Sequence, residues 1–150
     1  AAASATWDST TIADRDSIAD ILAGIQNIDE SNYDALENGF LLVNPKDYRN
    51  LIRNSKVINN PSFKTADVVS NGRVGQIAGL TIIKTTSVTA DEAMIIVGQQ
   101  AATWKSAVAM RSNVDSTTHW GVKDVLSTYE IGHVQVTDPA AIYKITNTQA

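Results

Sequence analysis

Residues 40–54, FLLVNPKDYRNLIRN, constrain this chain more tightly than any other stretch. Residues 40–43 form a short apolar run compatible with a buried strand. Asn44 can cap a helix by accepting from a backbone N–H that would otherwise lack a partner. Pro45 suits the first helical position, where its missing N–H costs nothing. Tyr48, Leu51 and Ile52 then fall on one helical face. The stretch predicts a buried strand feeding a capped amphipathic helix.

Upstream, Ile18, Ile21, Leu22 and Ile25 mark one face of a helix, with Asp14 or Asp16 as its cap. Residues 1–11 are small and polar and predict a loosely held entry segment. Residues 28–39 form a polar connection with room for one helical turn. Residues 57–72 (VINNPSFKTADVVSNG) predict a long exposed loop, a length that is usually functional or disordered inside a compact domain. The β-branched residues and spaced glycines of 73–86 predict strands with a bend or bulge between them. Residues 93–97 predict a buried strand and residues 99–104 a helical turn. Residues 108–113 alternate as a half-buried strand would. Residues 122–136 fit two templates: Val122, Val125, Leu126 and Tyr129 suit a helix, Val134 and Val136 a strand. Asp138-Pro139 predicts a turn, and residues 140–146 a closing strand. The sum is an α+β domain, a mixed sheet with two or three flanking helices.

The chain has 150 residues, enough for one domain with a real core, and a net charge of −4. A mild acidic balance without a basic stripe argues against a dedicated nucleic-acid binder. No cysteine is present, so disulfides and thiolate metal sites are excluded. No apolar stretch approaches the roughly 20 residues of a membrane span. The opening AAASATWDSTT has neither a basic nor an apolar signal-peptide region. The first residue is not methionine, which fits a processed product, a shortened chain or a piece of a longer one.

Motifs for chemistry are missing. His119 lies in a turn-like DSTTHWG and His133 on the face of IGHVQV opposite Val134 and Val136; a structural or solvated role is the reading of both. No nucleophile elbow, no H-E-x-x-H and no Cys/His cluster occurs. Gly72, Gly75 and Gly79 lack the Lys-Ser/Thr of a phosphate loop and read as turn glycines. The four carboxylates of DESNYDALENG miss the calcium-loop pattern, with Asp34 where glycine is needed, and read as a solvated acidic loop. Asp91-Glu92 reads as a polar turn. The aromatic residues do not interleave with Lys or Arg as a single-strand-binding face would. No catalytic, cofactor-binding or metal-ligating residue is assigned, and no enzyme activity or cofactor is expected.

The order of four segments carries a resemblance. FLLVNPKDYRNL resembles the strand, Asn-Pro and helix segment of tailed-virus major capsid proteins of the HK97-like fold. GQIAGLTIIKTTSV is similar to that family's G-x-P-V-V strand, with Leu80 where proline is common. AMIIVGQQAATW resembles the strand that follows. DPAAIYKIT resembles the closing R-P-x-A-I-x-K strand, with Asp138 where a basic residue is frequent. The resemblance covers about residues 17–146. It implies that residues 122–136 form a long strand. It also implies a division into an entry segment (1–16), an axial-type domain (17–137) and a closing strand of the peripheral domain with a C-terminal tail (138–150). The family's N-terminal arm, extended hairpin loop and spine helix have no counterpart here, so no cross-linking lysine is carried over.

The resemblance implies a structural shell subunit that self-associates into pentamers and hexamers around the genome, located in the virion and assembled in the host cytoplasm. Other virion proteins are further partners; a membrane or a specific nucleic-acid sequence is not. Ring contacts between identical copies are heterologous, so two different patches must match. Loop 58–73 is the candidate contact, with Asn59, Asn60, Ser62, Phe63, Lys64, Asn71 and Arg73 as its interface residues and a plain surface loop as the competing reading. Arg49, Arg53 and Arg73 could pair with residues 29–37 of another copy, although intramolecular or solvated pairs fit equally. Without the missing parts the chain is expected to be monomeric or weakly associated at micromolar concentration. Two other readings stay open: an encapsulin-like cellular nanocompartment shell, and an unrelated ligand-binding α+β domain with a deep polar pocket.

Overall fold

The computed structural model describes residues 1–11, 15–54, 75–115 and 125–149. They fall into two compact units, Ala1–Ala101 with Asp138–Ala150, and Ala102–Thr137. This grouping cuts the chain differently from the division that the resemblance implies. The first unit, the body, is a five-stranded mixed sheet with three helices; the second is a two-stranded antiparallel ribbon.

The predicted junction is present in the body. Strand β1 (Gly39–Val43) runs into helix α3 (Pro45–Arg53), with Pro45 in the first turn and the Asn44 side chain accepting from Lys46 N. Asn44 Nδ2 also donates to the Val88 carbonyl at 3.0 Å, tying the cap to the loop before β4. Helix α1 (Ser17–Glu30) is capped by Asp16, which accepts from Ala19 N; Asp14 lies outside the described residues. The acidic connection contains the short helix α2 (Ala35–Asn38), whose cap Asp34 accepts from Leu36 N and Glu37 N.

The sheet order is β2-β3-β1-β4-β7, with β2 Gln76–Ile77, β3 Leu80–Lys84, β4 Glu92–Val97 and β7 Ile142–Thr146. β1 pairs parallel with β3 and antiparallel with β4, and β4 pairs antiparallel with β7. The bend predicted between β2 and β3 is a two-residue turn, Ala78 and Gly79, both at positive φ (50° and 85°). Such a turn matches the twist of a hairpin. A short 3-10 turn, Pro139–Ala141, capped by Asp138, leads into β7.

One face of the sheet carries the core. Leu41, Ile82, Ile95 and Ile145 are buried there with Ile21, Ile25 and Ile28 of α1. Gly24 permits the close approach: a Cβ there would lie 2.6 Å from Ile95 Cδ1 and 2.8 Å from Tyr143 Cδ1. The opposite face holds Phe40, Leu42, Met94 and Ile96, each partly exposed.

Three expectations change. The opening residues are held rather than loose: Ala3 N donates to Thr146 O and Trp7 N to Thr148 O, so they run beside β7 and its continuation. Trp7 is buried and its indole N–H donates to Asp20 at 3.0 Å, a gain in apolar burial that small polar neighbours did not suggest. Residues 99–101 form a turn, but β5 (Ala102–Asp115) begins at once, so Trp104 is a strand residue. Its partner β6 (Val125–Val136) supplies cross-strand hydrogen bonds that a helical turn would forgo. Residues 108–113 are strand as predicted but not half-buried, because only Val108 among them is even partly covered. Of the long strand implied for residues 122–136, residues 125–136 are strand, and 122–124 lie outside the described residues.

Candidate assembly surface

Strands β5 and β6 pair from Ala102–Val136 to Asp115–Val125, with register irregularities between Ser106 and Arg111. Directly paired residues share a face, and successive residues alternate. One face therefore presents Trp104, Val114, Leu126, Val134 and Val136; the other presents Lys105, Val108, Arg111, Tyr129, Ile131 and His133. On the first face the Trp104 indole lies over Gly132, where a Cβ would come within 2.5 Å of Trp104 Cζ2. Its N–H donates to Glu130 Oε1 at 3.1 Å. Ser112 and Thr128 hydroxyls meet across the strands at 3.1 Å.

No ribbon residue whose burial is described is fully buried. Thirteen large hydrophobic side chains are exposed among the described residues. All but Leu22, Leu36, Ile52 and Ile83 belong to the ribbon, which leaves nine within Ala102–Thr137. Leu126 is 67 % exposed, Val134 64 % and Ile131 56 %. A two-stranded ribbon is marginal by itself, and apolar residues on both of its faces call for a covering layer on each. Residue type had a signal for this. In β6 the apolar residues occupy odd positions (125, 129, 131) and even ones (126, 134, 136), whereas a strand with one wet face alternates.

The sequence-predicted interface residues Asn59, Asn60, Ser62, Phe63, Lys64, Asn71 and Arg73 lie outside the described residues, as do Gly72 and His119. His133 is placed on the ribbon opposite Lys105, exposed. Arg49 and Arg53 sit on the outer side of α3. The acidic segment proves partly structural. Asp29 accepts from Ala35 N, Asp34 caps α2, and Glu30 accepts from Gln26 Nε2. Asp91 is a turn residue at φ 73° whose carboxylate accepts from Gln149 N. Glu92 opens β4 and pairs with Lys144 at 2.6 Å.

The shifted titrating groups are tethers of the fold. Asp47, at the start of α3, is fully buried and accepts from Gln149 Nε2 at 2.8 Å. Burial pushes its carboxyl above the usual range, helped by the nearby Asp91 charge. The Tyr33 hydroxyl donates to Asp138; this bond raises the tyrosine and lowers the aspartate. Tyr48 is raised by burial beneath Lys84, whose Nζ stands 5.4 Å from the ring centre. These groups are spread over the body and do not converge on one point. Among the described residues no group of three His, Cys, Asp or Glu side chains is placed to hold a metal ion. No helix among them is long and apolar enough to cross a membrane.

Comparison with known proteins gives this geometry its context. The chain aligns over its whole length with a capsid chain of cyanophage P-SCSP1u at a TM-score of 0.66 and 16 % identity, covering 51 % of that chain. It aligns likewise with a chain from Mycobacterium phage Che8 at 0.61 and 16 %, covering 53 %. A virus-like particle from Pyrococcus furiosus matches 94 % of the chain at 0.54 and 20 %, covering 53 % of its own chain. The chain thus spans about half the length of these structures, which share its fold. Among curated proteins nothing matches. The model of one family, described as phage capsid protein, matches residues 1–145. With the order of strands and helices as the resemblance implied, this chain belongs to the phage capsid protein family.

Proposed function

We propose that the chain works as a structural subunit of a viral shell, self-associating to enclose a genome and performing no catalysis. The observation that carries this reading is the ribbon. Fully covering a side chain such as Leu126, Ile131 or Val134 is worth about 1.5–3 kcal/mol. Nine such groups exposed among the described residues of Ala102–Thr137 form a surface whose natural state is covered. Pentamers and hexamers, contacts to other virion proteins and assembly in the host cytoplasm belong to the same proposal. So does the reading of residues 17–137 as axial-type and 138–150 as a closing strand, with the amendment that β7 lies in the body sheet beside β4. Loop 58–73 stays a proposed neighbour contact. The encapsulin-like alternative is not favoured, because the matching family is that of phage capsids.

The test is the solution mass of the chain by light scattering over a concentration series, with electron microscopy of the same samples. Wild type is compared with a chain carrying Leu126→Lys and Ile131→Lys. Concentration-dependent association that the double variant loses supports the reading. Equal behaviour of the two chains, with no rings or shells, removes the ribbon as the assembly element.

A further inference from the structure

Strand β1 runs from α2 to α3, so these helices stand at opposite ends of one five-residue strand, about 17 Å apart along it. The exposed faces of the two helical segments carry opposite charge. At the α2 end, residues 29–38 contain Asp29, Glu30, Asp34 and Glu37 and no lysine or arginine. Glu30, Asp34 and Glu37 are exposed, and Leu36, 54 % exposed, stands among them. At the α3 end Lys46, Arg49 and Arg53 share a helix face by their spacing, beside the partly exposed Ile52. The one acidic residue of α3, Asp47, points inward and is buried. Lys46 pairs with Asp8 at 3.7 Å, while Arg49 and Arg53 have no partner among the described residues. Each end is therefore an apolar side chain with an ionic rim, and the rims differ in sign.

We infer that the two ends are halves of one contact: the α2 end of one copy docks on α3 of the next. The inference rests on the shell reading and names the partner as a second copy of this chain. Charge complementarity selects that partner, because one molecule offers both signs at opposite ends. Pairing like ends would oppose like charges, so the contact is heterologous and extends into a ring where its rotation closes. Exposed ion pairs are worth only about 0–1 kcal/mol each. They set orientation and partner choice, while burial of Leu36 and Ile52 and of the ribbon supplies affinity.

The experiment uses the full chain in three forms: wild type, Arg49→Glu with Arg53→Glu, and Glu30→Lys with Glu37→Lys. All four positions are exposed, and circular dichroism checks that each variant is folded. Mass is followed by light scattering at low salt, where surface charges are least screened. The first variant has two acidic ends and the second leaves residues 29–38 without net charge, so each alone should associate at least about tenfold more weakly than wild type, a loss typical of a few rim charges. An equal mixture should regain part of the wild-type association, because the acidic α2 end of the first variant can dock on the basic α3 of the second. Variants that associate like wild type, or a mixture as weak as its components, overturn the contact. If wild type still assembles in that case and Leu126→Lys with Ile131→Lys abolishes it, the shell reading stands and only this contact falls. Wild type and mixture that both remain single copies throughout overturn the contact together with self-association by this chain.

Discussion

The body and the ribbon are made from the same kinds of side chain and treat them in opposite ways. In the body, Leu41, Ile82 and Ile95 stand at alternate positions of three neighbouring strands and are buried in a core that includes residues of α1. In the ribbon, Leu126 and Val134 on one face and Tyr129 and Ile131 on the other are all exposed. The difference lies in what the chain supplies beside the strand. A sheet face becomes a core only where another layer covers it, and the described residues provide that layer for one face of the body alone. That contrast is what supports the proposed contact role of the ribbon.

Hydrogen exchange offers the largest contrast. Amides of β1 and β4 should exchange only through global unfolding, at about 5–15 kcal/mol, and those of β5 and β6 through local opening at the low end of the range. Equal protection in the unassembled chain would break the comparison. Next comes one chemical change made in both regions. Leu41→Ala should cost about 2–5 kcal/mol in urea denaturation, since Leu41 is wholly buried. Leu126→Ala should stay within about 0.5 kcal/mol, acting on association instead. Asn44→Ala should cost about 2 kcal/mol, the top of the range for a lost cap, because it also removes the bond to Val88 O. That loss belongs to the body and should leave ribbon exchange unchanged.

The smallest effect sharpens the picture of the body by pH. Asp47 has its carboxyl raised above the ordinary 3.8 by burial, so the folded state favours its protonated form. The stability it contributes is fully present below that ordinary value and is lost as pH rises through the raised one. Asp47→Asn keeps an acceptor for Gln149 and removes the buried charge. The variant should be more stable than wild type at neutral pH, with the difference vanishing in acid. Denaturation midpoints across pH read this directly; a variant less stable than wild type at pH 7 would show that the ionised form is the better-held one.

Legibility followed the range of the interactions involved. Asn44, Pro45 and the Tyr48–Leu51–Ile52 spacing announced the strand-to-helix junction, since a cap acts within three residues of itself. The α1 stripe and an aspartate cap at Asp14 or Asp16 were visible for the same reason, and Asp16 is the one that caps α1. Periodicity left 122–136 undecided, and the order of motifs resolved it toward a strand. The turn at 99–101 was read as running on through Trp104, because the residues that hold Trp104 in a strand, Val134 and its neighbours, lie thirty positions away. Trp7 looked like part of a loose segment because its partners, Asp20 and the Thr148 carbonyl, are distant in the chain. Of the proposed assembly surface, the acidic segment and Arg49 and Arg53 are marked in the sequence by their charge, whereas the ribbon is not. Its apolar residues lie at both odd and even positions, a pattern that alternation with one wet face does not produce.

The sequence by itself determined the local devices: the cap at Asn44, an aspartate cap for α1 at Asp14 or Asp16, the turn at Asp138-Pro139, the proline at the head of α3, and the short apolar runs of β1 and β4. Each depends on atoms a few residues apart, so a short stretch holds the whole cause. Only the tertiary structure decided that β1 lies between a parallel and an antiparallel neighbour, that β7 returns beside β4 with Ile145 against Ala93, and that Tyr33 reaches Asp138. It also decided which apolar residues are covered. These pairings and contacts join residues 41 to 105 positions apart, and the choice among such partners is made by how layers fit together in space.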